Sequence, residues 1–173
     1  YEGCLNGFDD VCPLREDHME WLDWLKELGY TGLIDGQGEL AKENIRPSEH
    51  SVTTYMTDRF LALLEERDKK IASERVVSEL DDNQDKPGEE PFFVHLSYLR
   101  PHPPFIAAGH FATMYPPSDV SPSIPVATSY DLHPLHQELR HLPGWRCPAP
   151  DELTFMKTQY YGCITHCDEQ LGR

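Results

Sequence analysis

Pro91-Phe-Phe-Val-His-Leu-Ser-Tyr98, continued by Leu99-Arg-Pro-His-Pro-Pro-Phe105, is the stretch on which the fold turns. Phe92, Val94, Leu96 and Tyr98 alternate along one side of an extended chain, and Phe93 and His95 along the other. Both sides are largely apolar, a pattern that suits a strand buried on two faces, as in a mostly parallel sheet with helices above and below. The expected class is therefore α/β, with His95 making a core hydrogen bond. The loop after the strand matters as much. In open α/β sheets, ligands bind outside the carboxyl ends of strands. Pro101, Pro103 and Pro104 fix their own φ and restrict Arg100 and His102. A histidine held between prolines can be aimed at little ordering cost. Its imidazole can donate to an anionic oxygen or protonate a leaving group near neutral pH. The plainer alternative is a rigid turn with a structural histidine. Arg100 is open to two roles likewise: a guanidinium binding an anion, or one paired with an acid of the chain.

On both sides of this stretch, the chain reads as helices joined by exposed connections. Residues 16–29 read as a helix, with Asp17 and Glu20 as a capping box, Trp21, Trp24, Leu25 and Leu28 as its apolar, core-facing side, and Gly29 as its stop. Tyr30 to Ile34 reads as a short extended piece, and Gly36-Gln37-Gly38 as a turn. Residues 48–71 give the clearest helix, capped by Ser48, with Val52, Tyr55, Met56, Phe60, Leu63 and Leu64 at helical spacing. The helical part thus covers 16–71. Residues 74–90 hold seven acids, among them Asp81, Asp82, Glu89 and Glu90, against Arg75 and Lys86, and read as a solvated acidic loop. The strand and its loop occupy 91–105. Residues 106–150 are a proline-rich insertion; with Pro101, Pro103 and Pro104 the stretch from 101 holds eleven prolines. Residues 151–173 return to helix, with Asp151 as cap and Leu153, Met156, Tyr160, Cys163, Ile164, Cys167 and Leu171 on one broad face.

The whole chain has 173 residues, about one domain or slightly less. Fifteen Lys and Arg stand against thirty Asp and Glu, a net charge of −15. A nucleic-acid binder should carry a basic face, so that class is disfavoured. An anionic membrane surface is a poor partner too. No apolar stretch is long enough for a spanning helix. Five cysteines, at 4, 12, 147, 163 and 167, are an odd number and do not resemble a disulfide framework. Read as mostly reduced, and with no signal peptide visible, they lean toward a cytoplasmic rather than a periplasmic compartment. Cys163, His166 and Cys167 invite a zinc reading, but no second ligand knuckle is present, and burial is the favoured role. His133, His136 and His141, with Asp131 and Glu138, fall in the proline-rich stretch, where a solvated loop is favoured over a metal site.

Phe92 to Phe105 resembles the central strand and loop of the sulfatase family, within the alkaline phosphatase superfamily, nearest its arylsulfatase and phosphonate monoester hydrolase branch. In that family the strand ends in a Pro-His-x-Pro loop whose His contacts the sulfate or phosphoryl group; His102 falls on that position. Tyr160-Tyr-Gly-Cys-Ile-Thr-His-Cys-Asp-Glu-Gln-Leu-Gly-Arg173 is similar to a family helix, with Asp168, Gly172 and Arg173 on its marked positions. The resemblance implies an alkaline-phosphatase-like sheet of which this chain is the central part. It implies a small anionic ester as substrate, hydrolysed by a parent enzyme, with a homo-oligomer compatible. It also implies a divalent metal (Ca, Mg or Mn) and a formylglycine or serine nucleophile. The nucleophile motif Cys/Ser-x-Pro-x-Arg is not matched: Cys12-Pro-Leu-Arg15 is one residue short, and Cys147-Pro-Ala-Pro150 lacks the Arg. Asp9 and Asp10 form an acidic pair without the apolar strand that precedes the family's metal ligands. Nucleophile and metal ligands are therefore expected outside this chain, and this chain alone is expected to be inactive. From this, Arg100 and His102 are the expected substrate contacts, with His102 also assisting the leaving oxygen. The wording Leu-Arg-Pro-His-Pro-Pro-Phe leans to the phosphonate branch, while sulfate esters are the broader expectation. The other class of reading is a non-catalytic chain, degenerate or serving as a binding module.

Overall fold

The computed structural model describes residues 17–78, 92–122, 134–139 and 148–173. Among these residues the regular elements are all helical: α1 (Met19–Glu27), α2 (Gly36–Leu40), α3 (Val52–Ser78), α4 (Pro134–Leu139) and α5 (Pro150–Leu171). Short 3-10 turns lie at Glu43–Ile45, Ser48–His50, Gly109–Thr113 and Pro117–Asp119.

The expected α/β architecture is corrected by this: the described residues contain no strand and no sheet. Residues 92–99 run without regular secondary structure. A strand exists only with a ladder partner for its N–H and C=O groups. The other candidate, Tyr30 to Ile34, is interrupted by Gly32 at φ 68° and supplies none. The period-two alternation survives. Val94, Leu96 and Tyr98 are half-buried while Phe93, His95 and Ser97 are exposed. The half-buried set lies along α3 and the end of α5, lining a groove with Thr57, Phe60, Leu61 and Leu171. Tyr98 hydroxyl meets Thr57 hydroxyl at 2.8 Å. One face is covered by helix, and Phe92 and Phe93 stay 58% and 75% exposed. His95 is exposed too, not a core residue.

The first core joins α1, α2 and the start of α3. Trp21, Leu22, Leu25, Leu40, Val52 and Tyr55 are buried together, with Trp24 and Leu99 packed beside them. Leu22 takes the place expected of Leu28, which is 45% exposed. The stop of α1 forms as read: Gly29 at φ 92° lets its N–H bond Lys26 C=O at 2.9 Å and Tyr30 N–H bond Leu25 C=O at 3.0 Å. Residues 36–38, expected as a turn, begin α2, because Asp35 caps it by accepting from Gly38 N–H at 2.7 Å. Helix α3 starts at Val52 rather than 48. Ser51, not Ser48, accepts the Thr54 N–H, at 3.1 Å. At its far end α3 runs to Ser78, into the stretch expected as a loop; the remainder of the acidic stretch, 79–90, lies outside the described residues.

The second core is smaller: Ala107, Phe111 and Cys163, with Ala112 against them. Helix α5 opens with Pro150 at its first position rather than with Asp151 as cap; Asp151 and Glu152 sit in its first turn, where the helix dipole favours negative charge. Its buried side is Thr158, Gln159, Gly162, Cys163, His166 and Gln170. Tyr160, Ile164 and Leu171, expected on that side, are 39%, 42% and 69% exposed. No described helix is long and apolar enough to cross a membrane.

Candidate functional site

The loop from Leu99 to Phe105 leaves the first core at the level of α2 and the start of α3. Its sequence carries three prolines, so few of its residues have an N–H to bond. The His102 N–H donates to Leu99 C=O at 3.0 Å, and Ile106 N–H to Pro104 C=O at 2.8 Å. The Arg100–Pro101 and Pro103–Pro104 peptide bonds are cis.

Arg100 is buried beneath this loop, and its side chain holds the loop together. A guanidinium has five N–H donors. Nε donates to Glu43 Oε2 at 3.0 Å, and one terminal nitrogen donates to the same oxygen and to Leu40 C=O at 3.0 Å. The other terminal nitrogen donates to His102 C=O at 3.1 Å and to Pro104 C=O. All five donors are committed. Of the two roles open to Arg100 from sequence, the structure forms the pairing with an acid. An Arg100 that bound a substrate anion would have to give up one of these bonds.

Glu43 is as buried as its partner, and its other oxygen accepts the Val52 N–H at 2.9 Å. Burial pushes this carboxyl upward from its ordinary range, opposed by the Arg100 guanidinium and the Val52 amide. No sequence signal separates Glu43 from the other acids. The only hint is indirect: a buried Arg100 requires an acid somewhere.

His102 itself is exposed. Its Nδ1 lies 2.7 Å from Pro103 C=O. A carbonyl only accepts, so Nδ1 carries a proton and donates. That fixes the neutral tautomer and leaves Nε2 for a ligand: an acceptor when the ring is neutral, a donor when it is charged.

Helix α5 splints the backbone beyond the loop. Cys167 Sγ–H donates to Arg100 C=O at 3.6 Å and Cys163 Sγ–H to Ile106 C=O at 3.5 Å. Gln159 accepts from Ala107 N–H at 3.0 Å and donates to Ala112 C=O at 2.7 Å. Nothing in the sequence singles out Gln159, although it lies one turn before Cys163. His166 stacks on Phe111 at 4.5 Å between ring centres and meets the Thr54 hydroxyl at 3.2 Å.

These contacts settle several sequence candidates. Cys163 and Cys167 are free thiols. Burial pushes Cys163 up to about 11 and Cys167 upward as well. A thiol held neutral is a poor nucleophile at neutral pH. Among the described residues, no three His, Cys, Asp or Glu side chains come together as metal ligands. The described residues therefore do not fit a metal centre, and no chemical step is routed through one. Asp9, Asp10, Cys12, Asp131, His133, His141 and Cys147 lie outside the described residues, and His136 lies in α4. Glu138 is exposed. Arg173, at the end of α5, pairs with Asp58 of α3 at 2.7 Å and bonds Gln170 at 2.8 Å; the Asp168 carbonyl accepts the Gly172 N–H at 3.1 Å.

No family model matches the chain. It is similar to the multifunctional alkaline phosphatase superfamily protein PehA of Trinickia caryophylli, 27% identical over 195 aligned residues. The match takes in 98% of this chain and 34% of that protein. The chain thus spans about a third of the length of the curated relative it matches. This likeness supports the alkaline phosphatase superfamily, a coarser assignment than the sulfatase family expected from the two motifs.

Proposed function

We propose that the natural protein is a metal-dependent hydrolase of sulfate esters, and that His102 contacts the tetrahedral anion. The observation that carries the reading is His102 itself. It is an exposed imidazole on a proline-bound turn, with Nδ1 tied to the Pro103 carbonyl and Nε2 left for a ligand. The likeness to an alkaline phosphatase superfamily protein supports the reaction class. The role of His102 rests on its chemistry. As imidazolium, Nε2–H donates to an anionic oxygen; on bond cleavage the same proton is available to the leaving oxygen. A divalent metal would supply charge stabilisation to the anion, as in the superfamily at large. A second reading, hydrolysis of phosphonate monoesters or phosphodiesters, is favoured by the wording Leu99-Arg-Pro-His-Pro-Pro-Phe105.

The test is turnover by the full natural protein, with divalent metal, of an aryl sulfate, an aryl phosphonate monoester and an aryl phosphodiester. His102→Ala should lower kcat/KM at least about 100-fold on the preferred ester, with an unchanged unfolding midpoint. The ester turned over fastest decides between sulfate and phosphonate. Equal turnover by the variant on all three would remove His102 from the mechanism.

A further inference from the structure

Arg100 and Glu43 are each only 2% exposed at their side chains, and together they reach three separate pieces of chain. Glu43 receives the first amide of α3, at Val52. Arg100 receives its own ion partner on one edge and the Leu40 carbonyl at the end of α2. On the other edge it takes the carbonyls of His102 and Pro104, which bracket the Pro103 carbonyl that anchors the His102 ring. The backbone of the turn is therefore bonded to a buried cation, and that cation to an acid seated on α3.

We infer that Glu43 and Arg100 are a positioning pair: they hold the His102 turn against α2 and α3, and Arg100 does not itself bind the anion. The inference rests on the reading of His102 as the anion contact, but its structural half is measured without turnover. A withdrawn Arg100 would leave the Glu43 carboxylate buried without its cation, which is strongly unfavourable. Lysine is no substitute. It offers three donors from one nitrogen and cannot span both edges that the planar guanidinium spans.

The turn carries its own reporters. Pro101, Pro103 and Pro104 have no amide, so the His102 and Ile106 amides, bonded to Leu99 and Pro104, read its order. Amide hydrogen exchange on the full natural protein should show both amides exchanging at least about tenfold faster in Arg100→Lys and in Glu43→Gln, with the α1 amides unchanged. On the preferred ester, kcat should fall at least about tenfold while KM moves by less than about threefold. Should either single variant fail to fold, the double variant Glu43→Gln/Arg100→Met leaves no unpaired buried charge and should show the same two fast amides. Unchanged exchange at His102 and Ile106 would overturn the pair as a positioning device. A loss carried by KM alone would overturn it too, and would make Arg100 an anion ligand. Absence of turnover by the unaltered protein would remove the hydrolase reading, while the exchange rates would still decide what the pair does.

Discussion

At the scale of single residues, burial decides chemistry more than residue type does. His166 and His102 are both imidazoles. One is sealed between Phe111 and Thr54, the other stands in solvent. Burial lowers His166 to about 4, with His110 and Arg100 nearby adding to the effect, so the folded chain keeps it neutral. In the unfolded chain it titrates near its ordinary 6.5. Between those values the unfolded state binds more protons. Stability present above about pH 6.5 is therefore lost as pH falls toward 4, by up to about 3 kcal/mol. The difference in unfolding midpoint between the natural protein and its His166→Gln variant should narrow from pH 7 to pH 4.5, because the variant lacks that titration. Parallel midpoint curves would mean that His166 is not held neutral by its site.

At the scale of elements, helix α5 shows how a buried face can be polar. Residues 100–112 contain no strand and no α-helix, so their N–H and C=O groups need partners from elsewhere. Gln159, Cys163 and Cys167 supply them, and Gly162 lets the chain come close. A methyl group on Gly162 would be driven into the Phe111 carbonyl oxygen and to 2.8 Å from the Ala107 side chain. Gly162→Ala should therefore cost about 1–3 kcal/mol of stability, read from chemical unfolding, despite its gain in helix propensity. A stabilised variant would show that the 107–111 segment can move away. The same element shows what sequence makes legible. That residues 151–171 are helical is plain, as is the glycine stop after α1. Which side of α5 is buried is not. Hydropathy points to Tyr160, Ile164 and Leu171, whereas the buried side follows the hydrogen-bonding needs of an irregular segment far away in sequence. For the same reason Phe92 to Tyr98 reads as a two-sided strand. Its alternation is real, but sequence does not say whether a ladder partner exists. His102 stands out as a candidate in the sequence because prolines flank it; Glu43 does not, because its meaning lies in Arg100, 57 positions away.

At the scale of the whole molecule, the proposed reading asks a chain of net charge −15 to receive an anion. The long-range field of such a chain opposes an anionic ester. What can offset this is a local donor, and in the proposed reading the imidazolium of His102 is that donor. Helices α1, α2 and α3 build the first core; Glu43, beside that core, receives α3 at Val52 and holds Arg100; Arg100 holds the turn; the turn carries His102. Each step is an ordinary piece of folding, and only the last bears on the proposed function. The most direct measurement of this claim is the nitrogen spectrum of His102 in the full natural protein, histidine-labelled and titrated with sulfate and with phosphate. Without anion, Nδ1 should be the protonated nitrogen of the neutral ring; on titration the Nε2 resonance should move and saturate. A neutral ring with its proton on Nε2 rather than Nδ1, or a ring whose Nε2 ignores both anions while the protein still turns over its ester, would contradict it.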